Sequence, residues 1–374
     1  MQKRKLLAIC VIGLSAHGAY AQSDVILYGI ADTGVRFATN QPVKGGSANQ
    51  VLLSDGAVTG SRWGLSGRED LGGGTSAVFG LENGFSVTNG QFGQQGQLFG
   101  RFAWLGLSNT TWGSLKLGRQ YSVGFDFIAR FDPIGVGNIG PDEWEAGLIG
   151  VRYDNTAQYA NDFGPVSIKL QRSFGNQAGS ASIGSTTAGS LLYNYGSLRA
   201  GMFGQQSVDS HSHAMDAGGV AARYSFDKVT VETYYLETRR EAGFTPSASG
   251  SGQPLANTSM IGNYNTAAGA GKQTTPRTDH LLQVGGTWSP RSYMIFTLAG
   301  MYDWTTNVAQ GQSGRTGSIY GIADYLLSKR TDVYVEADYS HLSGAAVKDP
   351  NSPLGTFGGK SSSVGAMLAL RTRF

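Results

Sequence analysis

The chain has 374 residues, of which 40% are hydrophobic and only 15% charged, and its mean hydropathy is −0.18. Soluble domains carry roughly 25% charged residues, and no run of about 18 apolar residues offers a helical membrane span. Low charge combined with 56 glycines argues against a cytosolic enzyme and fits a sheet with one face on lipid and the other on water.

The first element is an export signal. Lys3, Arg4 and Lys5 form a positive head, Leu6 to Leu14 a short apolar stretch, and Ala19-Tyr20-Ala21 a small-x-small cleavage site. Residues 1–21 are therefore expected to be removed, leaving a mature chain of residues 22–374. Cys10 is the single cysteine and lies in the apolar stretch, so the mature chain lacks disulfides, thiol nucleophiles and thiolate metal sites. Without the three signal cations, basic and acidic residues balance at 26 each, which leaves no bulk attraction for nucleic acid.

From residue 22 onward, stretches of about ten alternating residues are separated by turns rich in Gly, Asn, Asp and Ser. Val25 to Ile30, Ser61 to Gly67, Ala77 to Leu81 and Lys228 to Tyr234 all follow this pattern. In Asp332–Tyr339, Val333, Val335, Ala337 and Tyr339 share one face, and Asp332, Tyr334, Glu336 and Asp338 the other. Short connections at 71–74, 161–164 and 328–330 alternate with long ones at 40–57, 122–150, 239–277 and 344–360. All ten prolines fall in or beside presumed connections, as expected when lipid cannot replace a lost ladder bond. These features predict an all-β fold, an antiparallel transmembrane barrel of about 16 strands. A propeller would show a blade-length repeat, which is not visible. The last stretch alternates Val364, Ala366, Leu368, Leu370, Thr372 and Phe374 with small or basic residues, and Phe374 reads as a barrel-insertion signal.

Several segments then resemble one family. Val25–Gly34, Gly60–Gly74, Leu98–Ser108, Leu117–Tyr121, Arg152–Thr156 and the terminal Phe374 are similar to the trimeric general porins of Gram-negative bacteria, in the branch common among β-proteobacteria. Residues 176–330 match mainly in pattern. The resemblance implies a homotrimer in the outer membrane, with a third long loop, 122–150, folded into the lumen. It also implies passive diffusion of ions and small hydrophilic solutes without a cofactor. By motif position, Arg62, Arg101 and Arg152 match the wall arginines of that family. The loop acids Asp126, Asp132, Asp142, Glu143 and Glu145 are expected to face them across the pore, and the net expectation is a mild anion preference.

Periodicity supports two of the arginines independently. Arg62 is out of phase with Trp63 and Leu65, and Arg101 with Phe102 and Trp104. An arginine on the lipid face would cost about 2–4 kcal/mol near the midplane. Arg119 shares parity with Leu115 and Leu117, so only a bulge or an interfacial position would turn it inward. Tyr28, Phe37, Trp63, Phe79, Trp104 and Trp112 read as lipid-face and girdle residues. Catalytic and metal motifs are weak. Gly135 to Gly140 matches G-x-G-x-x-G without a strand–turn–helix frame, and Gly358-Gly359-Lys360-Ser361 lacks the P-loop's leading glycine. His211, His213, His280 and His341 have no obvious partner set. The rival readings are a substrate-specific channel, a barrel enzyme and an adhesive barrel. A lumen aromatic track would mark the specific channel, but it cannot be assembled without strand register.

Overall fold

A computed structural model describes residues 24–139, 144, 147–244, 274–349, 352 and 357–374. The signal segment, Asp142, Glu143, Glu145 and most of the 239–277 connection lie outside the described residues.

One closed antiparallel sheet holds most of the described chain. Its strands are β1 (Asp24–Val43), β2 (Gly46–Asp55), β3 (Arg62–Gly72), β4 (Thr75–Gly84), β5 (Phe102–Asn109) and β6 (Gly113–Tyr121). Next come β7 (Arg152–Phe163), β8 (Val166–Ser173), β9 (Thr186–Tyr195), β10 (Leu198–Val208), β11 (Ala214–Phe226) and β12 (Val229–Arg240). The last are β13 (Arg277–Arg291), β14 (Met294–Ala309), β15 (Gln312–Leu326), β16 (Thr331–Gly344) and β17 (Ser362–Arg373). Both β2 and β3 pair with the same edge of β1, through Thr33↔Asp55 and Ile30↔Arg62. They are two halves of one spanning strand, which makes a barrel of 16. Strand β17 closes it on β1, from Ile30↔Arg373 to Ala38↔Gly365. Closure leaves no unpaired edge for lipid to meet.

Alternation sets the two faces. In β16, Asp332, Tyr334 and Glu336 are buried toward the lumen while Val335, Ala337 and Tyr339 are exposed outward. In β17, Leu368 and Leu370 face out and Met367, Ala369 and Arg371 face in. Phe374 lies outward across Gly29, exchanging two backbone hydrogen bonds of 3.0 Å with it.

Two readings of the sequence need correction. The 40–57 segment is not a long loop: Val43 and Gly46 pair across a tight turn, and β2 continues to Asp55. Its Ser, Asn and Gly content mimicked loop composition, but Val51 and Leu53 are outward strand residues paired with Phe37 and Val35. Tyr28 and Trp104 are not lipid-facing either. Tyr28 reaches into the lumen to Glu82, and Trp104 lies inward beneath Lys116.

The lumen is not uniformly polar. Phe203, Leu236, Leu281 and Met301 point inward from β10, β12, β13 and β14, and the 122–150 loop packs on them with Phe127, Ile128, Phe131, Trp144 and Leu148. A second contact joins Ile139 and Ile134 of the loop to Tyr320, Ile322 and Tyr334. Burying each such side chain is worth about 1.5–3 kcal/mol, so the apolar half of the inner wall pulls the loop inside. The opposite half, β3 to β7, carries Arg62, Arg101 and Arg152, and a cavity remains between them and the loop tip.

Candidate pore constriction

Three local devices place the site. The first is the break between β2 and β3. Gly56 turns the chain inward, where an added Cβ would collide with the Asp32 carboxyl group. Asp32 accepts from Thr59 N (3.1 Å), Thr59 Oγ1 (3.0 Å) and Tyr334 OH (2.9 Å), fixing the bend. Arg62 follows it directly.

The second is a bulge in β6. The register slips between Gly118 and Gln120, and Gly118 takes φ +130, where a Cβ would collide with the Ala103 carbonyl. Beside it Arg119 is buried and donates to Asp154 Oδ1 (2.6 Å) and Gly100 O (2.7 Å).

The third is the loop itself. Ser122 caps helix α1 (Val123–Ile128) by accepting from Phe125 N at 2.9 Å, and its hydroxyl donates to Gly150 O at 2.6 Å. Asp126 lies in the first turn, where an acid suits the helix dipole. The tip is clamped to the β2–β3 break. Asn138 donates its backbone N–H to Ala57 O (2.7 Å) and its amide to Gly56 O (3.0 Å).

These devices bring Arg62, Arg101 and Arg152 to one cavity of about 120 Å³, lined on the far side by loop residues Ile134 to Asn138. Tyr121 links two of them. Its hydroxyl accepts from Arg101 Nη2 (2.7 Å) and Arg152 Nη2 (3.2 Å), and the Arg152 guanidinium lies 4.6 Å over its ring. Arg101 Nε also donates to Glu82 Oε1 at 2.6 Å, and Tyr28 OH donates to Glu82 Oε2 at 3.0 Å. Guanidinium groups stay charged at such density because guanidinium is too weak an acid to lose its proton near neutral pH.

The described loop acids do not face the arginines. Asp126 holds Lys169 (2.5 Å) and Arg130 (3.0 Å). Burial pushes its carboxyl up, but those two cations outweigh burial and hold it below the ordinary range. Asp132 accepts from the backbone of Ile134 and Val136 (both 2.9 Å) and from Gln283 of β13. Burial pushes its carboxyl up against those bonds. Both acids anchor the loop to itself and to the wall, so the expectation that they confront the arginines is not met. The carboxylate paired with Arg101 is instead Glu82, which sequence reasoning passed over. Its phase offered a signal, since Ala77, Phe79 and Leu81 point outward and Glu82 lies on the other parity.

Arg101 is inward, but not for the reason its phase gave. Phe102 and Trp104 also line the lumen, and Arg101 sits at the loop–strand junction, where its backbone N–H still bonds Glu82 O (3.1 Å). Arg36, also unanticipated, crosses the lumen face of β1 to Glu336 (2.9 Å) and Asp338 (2.6 Å). Of the weak motifs, Gly135 to Ile139 is the clamped loop tip. His280 faces outward, hydrogen-bonded to Tyr235 at 2.7 Å and stacked on Trp304.

Comparison with known proteins agrees with this architecture. A profile described as "Gram-negative porin" matches residues 7–345. Outer membrane porin protein 32 of Delftia acidovorans is 30% identical over 287 residues, which is 72% of this chain and 78% of that one. An outer membrane porin protein of Bordetella pertussis is 40% identical over 171 residues, 42% of this chain and 44% of the relative, so that match spans under half of its length. Among solved structures, an anion-selective porin from Comamonas acidovorans superposes with a TM-score of 0.73 at 20% identity, covering 94% of this chain and all of that one. With its closed 16-strand barrel and its inward third loop, the chain belongs to the Gram-negative porin family of the outer membrane.

Proposed function

We propose that this porin is a homotrimeric passive diffusion pore for ions and small hydrophilic solutes, and that Arg62, Arg101 and Arg152 give its constriction a mild anion preference. One observation carries the reading. Three guanidinium groups share a single lumen cavity whose far side is the uncharged loop tip Ile134 to Asn138. Fixed charges in a narrow aqueous gap select ions through the local potential. The field runs from the arginine wall toward that tip, so dipolar solutes align in it and apolar ones must displace ordered water. The resemblance of the chain to an anion-selective porin points the same way. In this reading residues 1–21 direct export, Phe374 serves the insertion machinery, and Asp126 and Asp132 act by holding the loop.

The test is the reversal potential of Arg101→Ser in a KCl gradient. One charge about 6 Å from a permeating ion in water-like dielectric is worth roughly 0.7 kcal/mol, favourable for an anion and unfavourable for a cation, so about tenfold in anion-over-cation preference. The potential should shift toward the cation side by that ratio, with a rise in conductance. An unchanged reversal potential removes Arg101 from the filter.

A further inference from the structure

On the periplasmic side of the arginines, the wall formed by β5 and β6 departs from a plain polar lining. Phe102 and Trp104 point inward with rings 6.2 Å apart, and Phe102 meets the edge of Tyr121 at 6.3 Å. Tyr121 in turn stacks on Phe125 of the loop, at 5.1 Å and 12°. Lys116 holds its ammonium 4.0 Å above the Trp104 ring. Phe102, Trp104, Lys116 and Tyr121 line, with Gln120 and Gln158, a cavity of about 290 Å³. It shares Lys116, Gln158 and Lys169 with a larger space of about 460 Å³ that continues to Asn194 and Arg199. Its size is near the lower end of the ~300–1,000 Å³ typical of small-molecule sites.

The charges around this chamber are unequally committed. Asp126 is already taken by Lys169 and Arg130. Lys116 has no carboxylate within ion-pair distance among the described residues, and its cation–π contact with Trp104 leaves ammonium donors for a ligand. A chloride ion would use the ammonium and leave the rings idle. An organic cation would meet an Asp126 that is already neutralised and an indole face that is already covered. A planar ring bearing one carboxylate uses everything present. Its edge or face packs on Phe102 in offset or edge-on geometry, its carboxylate meets Lys116, and Gln158 supplies an amide donor.

We propose that this chamber is a transient binding site for small aromatic carboxylates of the benzoate class, placed where solutes leave the arginine constriction. The proposal rests on the barrel being a diffusion pore and adds a substrate class to it. The arginines draw the anion in, and the aromatic shelf retains those anions that carry a ring.

The test uses the full folded protein in planar bilayers, with sodium benzoate titrated into KCl and acetate and cyclohexanecarboxylate as controls of equal charge. Benzoate should interrupt the current saturably, at a half-blocking concentration at least about fivefold below either control, the scale of a ring contact added to one ion pair. Lys116→Gln and Trp104→Ala should each raise the half-blocking concentration of benzoate about three- to tenfold, and Lys116→Arg should restore most of the loss. If benzoate and either control titrate alike, the proposal is overturned, and that comparison needs no variant. It is equally overturned if both variants fold, as heat-modifiable mobility reports, and block like wild type. Absence of any KCl conductance by the folded wild type would instead sink the pore reading beneath it.

Discussion

At the scale of single residues, Tyr121 is the joint of the constriction. One phenolic oxygen serves two guanidinium groups that would otherwise repel at close range. Tyr121→Phe removes both bonds while keeping the ring. Each bond to a charged group is worth about 1.5–3 kcal/mol, so the variant should unfold at measurably lower denaturant and show broader open-channel noise. Wild-type noise and midpoint would remove Tyr121 from that role. Glu82→Gln tests the opposite sign. It deletes the carboxylate beside Arg101, so anion preference should rise in a salt gradient, against the fall expected for Arg101→Ser. Arg62 was legible from the sequence because it is out of phase with Trp63 and Leu65 within a regular strand. Arg101 lines the cavity with Arg62 and Arg152, yet the phase argument for it fails, since the inward Phe102 and Trp104 break the polar-in rule. Glu82 was legible by phase but masked by the more conspicuous acids of the loop.

At the scale of elements, the 122–150 loop shows which part of the site the sequence could not disclose. Its position inside the barrel follows from the match between Phe127, Ile128 and Phe131 and the inward Phe203, Leu236 and Leu281. Inward apolar residues on β10 to β14, such as Phe203, Leu236 and Leu281, break the polar-in rule, and alternation alone does not say that a loop covers them. The contacts of Asn138 with Gly56 and Ala57, 82 and 81 positions away in sequence, have no local signal at all. Asn138→Ala removes a side-chain bond worth about 1 kcal/mol. More frequent brief closures in single-channel traces are the expected result, and wild-type traces would show that the clamp is dispensable. The Asp126 anchor predicts a pH response. A carboxylate held below its ordinary value contributes stability that is present above that value and is lost only as pH falls through the lower one. Acidification from pH 7 to about 5, above the ordinary carboxylate range, should therefore leave the helix α1 anchor intact. A wild-type channel at pH 5 that behaves like Asp126→Asn would contradict this.

At the scale of the whole molecule, the barrel was legible because lipid allows few solutions. Every backbone group must be paired inside the sheet, so proline falls at connections and strand faces alternate. The count of 16 holds although 17 strand segments form, because the inward bend at 56–61 splits one spanning strand without adding another. That bend, concealed in a segment that read as loop, both sets Arg62 at the pore and receives the third loop. Family membership makes the chain a channel and not an enzyme. The outward position of Phe374 fits a role in assembly, and Phe374→Ala should lower the folded yield in the outer membrane with little change in conductance per channel. Single-channel recording of the folded protein under a tenfold KCl gradient tests the anion-preferring pore most directly. Large, ohmic steps arriving in threes are expected, with a reversal potential on the chloride side. Folded protein that gives no steps, or steps that reverse on the potassium side, would contradict it.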